Sequence, residues 1–214
     1  MKNHNILKEI YQHLFSAFGH QHWWPGDTPF EIAAGAILTQ NTNWGNVEKA
    51  ITNLKNAGAL SAKRIHAMSF AQLSSLIVPA GYFNVKAVRL KSFVSFLMVN
   101  YQGSMKRMKT DNVNSLRERL LCVHGIGPET ADSILLYALE EPVFVIDAYT
   151  KRVLSRHGIM EGNRSYNEFQ EFFHASLQRD VGLYNEYHAL FVKVAKTHCR
   201  TRPDCGACPL FGLL

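Results

Sequence analysis

The chain has 214 residues, 23 Lys and Arg against 17 Asp and Glu, a formal net charge of +6, and 47% hydrophobic side chains. That apolar content is enough for a real core and excludes a disordered or low-complexity chain, and the length allows one or two compact domains. No stretch approaches the ~20 apolar residues of a membrane helix, so no membrane partner is expected, while the basic balance suits a polyanion without requiring one.

Helical periodicity dominates in chain order. Ile6, Leu7, Ile10, Tyr11, Leu14, Phe15 and Phe18 recur at helical spacing, with Lys8, Glu9 and Gln12 between them, which reads as an amphipathic helix and not as a signal peptide. The expected setting is therefore soluble and intracellular: cytoplasmic, and nucleoid-associated if the source is bacterial. "PFEIAAGAILTQNTNWGNVEKAITNLKNAG" gives two helical runs broken around Asn41 to Gly45. "SFAQLSSLIVPAG" predicts a short helix stopped by Pro79 and Gly81, and "NVKAVRLKSFVSFLMVNYQG" a longer one closed by Gly103. "NVNSLRERLLCVHGIG" and "PETADSILLYALEE" predict a helix pair, and three more helices follow from Ala148, Ser165 and Gly182. Only "PVFVID" is strand-like, and so short an apolar run is equally a buried loop. The fold class is all-α, with no internal repeat.

Two short stretches carry chemistry. In "LLCVHGIGPETAD" one helix ends at Gly125, Ile126 buries itself, and a second helix starts near Pro128. Glycine permits positive φ and clears the approach of a ligand, and Pro128 suits the first helical position. The free N–H groups of such a helix start favour a phosphate, although an ordinary turn between two helices would look the same. In "EEPVFVIDAYTKRVLSRHG" an apolar segment runs into Asp147 and then a helix. Asp147 is a helix N-cap by residue type, and equally a carboxylate placed near a reacting sugar.

Together, "LLCVHGIGPETADSILLYALEEPVFVIDAYTKRVLSRHG" resembles the helix-hairpin-helix plus Gly/Pro...Asp signature of the endonuclease III superfamily of DNA glycosylases. "EIAAGAILTQNTNWGNVEKA" and "GYFNVKAVRL" resemble other stretches of it, so the likeness runs over nearly the whole chain from about residue 27. The resemblance implies two helical domains with a cleft between them, one over residues 28–137 and one joining 1–27 to 138–214. It implies a monomer acting on double-stranded DNA that contains damaged bases.

Residue by residue, the resemblance implies that Gly125, Gly127 and Thr130 contact DNA and that Asp147 is catalytic. Oxocarbenium character develops on the sugar as the glycosidic bond breaks, and a buried carboxylate stabilises it. Relatives that also cut the strand carry a lysine that forms a Schiff base with the sugar. Glu129 stands at that position and cannot form an imine, and Lys151, one turn past Asp147, is expected to point elsewhere. The implied enzyme is monofunctional, without AP-lyase activity. Gln40 falls where the superfamily fills the gap left by a flipped nucleotide. "HQHWWPGDTPFE" ahead of the first of these helices, with an aromatic after "TQNT", resembles the 3-methyladenine DNA glycosylase branch. Trp23, Trp24, Pro25 and Trp44 would then line the base pocket and attract a cationic alkylpurine, with simple core packing as the alternative. His188, among apolar neighbours, reads as structural, and His124 as a hairpin-entrance or capping residue.

Three of the four cysteines, Cys199, Cys205 and Cys208, crowd the C-terminal segment, and Cys122 lies near the hairpin. Relatives hold a [4Fe-4S] cluster with cysteines in gaps of six, two and five residues. Here the last place falls on Leu214, and His198 has the first gap's spacing from Cys205. An iron–sulfur cluster with an incomplete cysteine set, a zinc site and a metal-free loop all stay open. The reading is a DNA N-glycosylase of base excision repair that releases alkylated purines such as 3-methyladenine. A glycosylase for a mismatched or oxidised base, or a non-catalytic DNA-binding relative, is the alternative.

Overall fold

A computed structural model describes residues 2–213, with side chains from Ile6 onward. The described residues form twelve α-helices and no strand, so the chain is all-α. It divides into two compact units, Pro25–Glu141 and the pairing of Met1–Trp24 with Pro142–Leu214.

In the Pro25–Glu141 unit, helix α2 (Pro29–Leu38) is capped by Thr28, whose side chain accepts from Glu31 N, and has proline in its first turn. Phe30, Ala33, Ala34, Ile37 and Leu38 bury it on nearly every side. It packs against α3 (Trp44–Asn56), α6 (Phe83–Tyr101) and α9 (Pro128–Ser133). Two short helices, α4 (Ala62–Ala67) and α5 (Phe70–Leu76), cover α6. The Ser69–Gln72 capping box starts α5, and the turn at Val78–Ala80 with Gly81 at φ +68° ends that stretch. Lys86 of α6 is buried, and its Nζ donates to the carbonyls of Leu38 and Ala80, both at 2.7 Å. Burial, and then repulsion from Arg89, pushes this ammonium down to about 8. Those two bonds hold the end of α2, and so the start of the Gln40 loop, against α6.

Helices α7 (Met105–Met108) and α8 (Val113–Leu121) lead into the hairpin. The single helix expected over "PETADSILLYALEE" is two pieces: α9 ends at Ser133 and the chain widens into a π-type turn over Ile134–Ala138. No Gly or Pro marks that change. The unit runs from Pro25 to Glu141, a few residues wider than 28–137, and the exposed ion pairs Lys55–Asp27 and Lys109–Glu140 lie near its two ends.

In the other unit, α12 (Val181–Thr197) packs against α1 (Lys2–Phe18) and α10 (Ala148–Arg156), and α11 (Tyr166–Ser176) packs on α1. Leu7, Ile10 and Leu14 of α1 are at most 1% exposed, each contributing roughly 1.5–3 kcal/mol of burial. Phe144, Phe173, Tyr187 and Phe191 form an aromatic core, with Phe144 stacked on Phe173 at 3.8 Å and Tyr187 on Phe191 at 4.8 Å. The "PVFVID" segment is neither helix nor strand but a buried irregular run, with Val143, Phe144, Val145 and Ile146 all in the core.

One buried ion pair fastens the hairpin. Arg117 of α8 meets Asp132 of α9 with both forks, Nε to Oδ1 at 2.6 Å and Nη2 to Oδ2 at 3.0 Å, and Asp132 is fully buried. Arg117→Met removes two charged donors from that buried carboxylate, and an unfolding free energy lowered by about 3–5 kcal/mol in urea titrations is the expected result. A loss below about 1 kcal/mol would contradict the clamp.

Candidate active site and DNA-binding hairpin

The hairpin joins α8 to α9 through residues 122–127, and its two glycines serve different needs. Gly125 has φ +81°, and a Cβ there would lie 2.2 Å from Arg89 Cγ, so a side chain is excluded twice over. Gly127 has φ −92°, and an added Cβ would meet nothing within 4 Å. Of the two reasons for glycine here, positive φ applies to Gly125 and an unobstructed backbone to Gly127. Gly127 leaves open space beside the backbone N–H groups that begin α9.

Gln40 is tied into this turn. Its Nε2 donates to Gly125 O at 3.0 Å and to Thr130 Oγ1 at 2.8 Å, and its Oε1 accepts from Arg89 Nη1. Thr130 is buried, so its hydroxyl serves Gln40 and not an open surface. Glu129 is exposed in the first turn of α9, where an acid favours the helix dipole, and His124 is exposed at the turn.

Asp147 belongs to the other unit and is 8% exposed. Oδ1 accepts from Thr150 N at 2.7 Å, which makes Asp147 the N-cap of α10. Oδ2 lies 3.6 Å from His188 Nε2, an ion-pair distance when the imidazole is protonated. Burial works to raise the carboxyl's pKa, but the facing His188 imidazole and the Thr150 N–H outweigh it and hold the group below its ordinary range. Sequence gives His188 a structural reading among apolar neighbours, and the fold adds that it faces Asp147. The two are far apart along the chain, and an apolar helical context gives no sign of the contact.

Trp23 and Trp24 pair edge to face at 5.3 Å in the Asp147 unit. Pro25 and Trp44 belong to the hairpin unit, where Trp44 opens α3 behind its Asn43 cap. Lys151 is committed elsewhere: its Nζ donates to Arg164 O at 3.1 Å and sits 5.0 Å over the Phe169 ring. Sequence periodicity also passed over Tyr82, which is 71% exposed and left-handed at φ +45° where α6 begins. A large exposed aromatic held in a strained backbone was detectable only in three dimensions.

The chain matches the HhH-GPD superfamily of base excision DNA repair proteins over residues 34–179. The chain belongs to that superfamily. A Methanocaldococcus jannaschii protein named as a DNA repair glycosylase is 46% identical over 206 residues, covering 96% of this chain and 94% of its own. Endonuclease III of Sulfolobus acidocaldarius is 27% identical over 183 residues, covering 84% and 78%. Among solved structures, H. pylori 3-methyladenine DNA glycosylase bound to 1,N6-ethenoadenine is 32% identical with a TM-score of 0.77, covering 91% of this chain and 97% of its own. An endonuclease III–DNA complex shares the fold at a TM-score of 0.82 and 19% identity, covering 97% and 92%. Membership makes this chain a DNA glycosylase of base excision repair.

The C-terminal cysteines are the candidate cluster ligands. Cys199 is buried and its Sγ receives Arg156 Nη1 at 3.4 Å, Cys205 is exposed, and burial pushes the half-buried Cys208 thiol up. The fourth place, Leu214, lies outside the described residues, and the His198 ring stacks on Phe18. Among the described residues no three His, Cys, Asp or Glu side chains gather as a metal-binding group. Arginines hold the loop instead: Arg152 donates to the carbonyls of Ala195 and Cys199, and Arg156 to those of Arg200 and Thr201. This donor set, three C-terminal thiols with no fourth, does not fit a four-thiolate cluster.

The Asp147–His188 contact has a definite sign. His188→Gln replaces the imidazole with an amide that can donate but carries no charge, so the Asp147 pKa rises. A carboxyl-carbon NMR titration of Asp147 should move to higher pH in the variant. The stability this depressed pKa contributes is present above about pH 4, falls away as pH drops through the folded value, and shrinks in the variant. An unmoved titration would contradict the pairing.

Proposed function

We propose that this glycosylase is monofunctional and releases alkylated purines, 3-methyladenine among them, from double-stranded DNA, leaving an abasic site. The observation that carries the reading is the buried Asp147 carboxylate, held in its charged form at the start of α10. A fixed negative charge favours the oxocarbenium sugar more than the neutral substrate, which is the difference that accelerates the step. An alkylated purine is already cationic and leaves readily, so little general-acid help is required.

Three further features support the reading. By the sequence resemblance Glu129 stands in for the amine of strand-cutting relatives, and Lys151 is engaged with Arg164. Trp23 and Trp24 supply aromatic faces suited to a cationic base. The H. pylori relative, 32% identical, is named for 3-methyladenine and was solved with a modified adenine. In this reading Gln40 gives up its bonds within the hairpin to enter the space left by the flipped nucleotide, and the open backbone at Gly127 admits the phosphate.

The test is base release from duplex DNA containing 3-methyladenine, with strand breaks scored before and after hot alkali. Release with breaks only after alkali is expected. Breaks without alkali, trapped by borohydride as a covalent complex, would overturn the monofunctional assignment, and no release would overturn the substrate. Glu129→Lys puts an amine back into the first turn of α9, and a borohydride-trapped complex absent from the wild type should appear.

A further inference from the structure

A run of four consecutive core residues, Val143 to Ile146, delivers Asp147, and none of them lies in a helix or strand. Buried backbone groups need partners, and a β-segment would find them on a neighbouring strand. Here no strand exists among the described residues, and side chains supply the partners. Phe144 N donates to His174 Nε2 at 3.0 Å, Gln170 Nε2 donates to Phe144 O at 2.7 Å, and Ile146 N donates to Tyr166 Oη at 3.2 Å. The three side chains are four residues apart on α11, so they form one face of that helix.

The face is itself fixed. The Ser165–Glu168 capping box sets the start of α11 immediately before Tyr166, and Phe173 stacks on the Phe144 ring. His174 stacks on Tyr184 with ring centroids 5.8 Å apart. To receive the Phe144 N–H, its Nε2 must be unprotonated. Gln170 is buried and Tyr166 and His174 are half-buried, and all three spend a polar group on one backbone run, which ties that run to a single face of α11.

We infer that Tyr166, Gln170 and His174 are positioning residues for Asp147, a polar face of α11 that stands in for a strand and fixes the run delivering the carboxylate. The inference rests on the reading of Asp147 as the group that meets the sugar. Ile146 immediately precedes Asp147, so the Tyr166 bond is the last restraint before the carboxylate. A misplacement of about 1 Å at such a group is enough to be felt strongly at the reacting centre.

The test uses the full chain and two duplexes, one with a pyrrolidine abasic mimic whose ring ammonium imitates the oxocarbenium sugar, the other with a neutral tetrahydrofuran abasic site. The readout is the ratio of the two affinities, which reports the carboxylate and not DNA binding in general. Asp147→Asn should lower the ratio, and Tyr166→Phe and His174→Leu should each lower it about tenfold with the neutral duplex bound as before. His174→Gln, whose side-chain oxygen can accept from Phe144 N, should restore it. Tyr166→Phe removes one hydroxyl only, so the test survives if His174→Leu does not fold. A ratio lowered by Asp147→Asn but untouched by Tyr166→Phe would overturn the positioning role and leave the Asp147 reading standing. A ratio unmoved by Asp147→Asn would overturn both.

Discussion

The Asp147 carboxylate is 8% exposed, and burial alone would favour its neutral form; the Thr150 N–H on one oxygen and His188 facing the other keep it charged. Much of the surrounding unit follows from that requirement. Capping fixes α10 relative to the carboxylate, His188 comes from the central helix α12, and the run into Asp147 is held by side chains of α11. A charge held in advance, in a water-poor setting, acts on a developing cation without paying for reorganisation at the moment of reaction.

The hairpin unit solves a different problem, which is to present bare backbone on a rigid mount. Arg117 and Asp132 lock its two helices together, and Lys86 secures the end of α2. Gln40 then bridges the two parts, bonded to Gly125 and Thr130 on the hairpin and to Arg89 on α6. Gly125 is needed because Arg89 passes where its side chain would lie. The residue that would enter the duplex and the turn that would hold its backbone therefore share one hydrogen-bond network.

Most of the helices were legible in the sequence because their apolar residues recur at helical spacing and the breaks carry Gly, Pro or capping residues. Two short helices, Ala62–Ala67 and Met105–Met108, were not, since one or two turns hold too few residues to show a period. The π-type turn after Ser133 was invisible for want of any marker. Asp147 and Gln40 stood out through the motifs around them. His188, Arg89 and the α11 face did not, because their importance lies in contacts with residues remote along the chain. Thr130 illustrates the same limit: the motif drew attention to it, but only the fold showed its hydroxyl occupied by Gln40.

The central claim is that the charge on Asp147 drives the chemistry, and Asp147→Asn isolates it, because asparagine caps a helix as well as aspartate does. The decisive measurement is the rate of base release from alkylated duplex DNA by this variant and by the wild type, at saturating enzyme and with duplex affinity measured alongside. A rate lowered on the order of a hundredfold or more at unchanged affinity is what the account predicts. Release at the wild-type rate, with DNA still bound, would mean that Asp147 is a helix cap and nothing more.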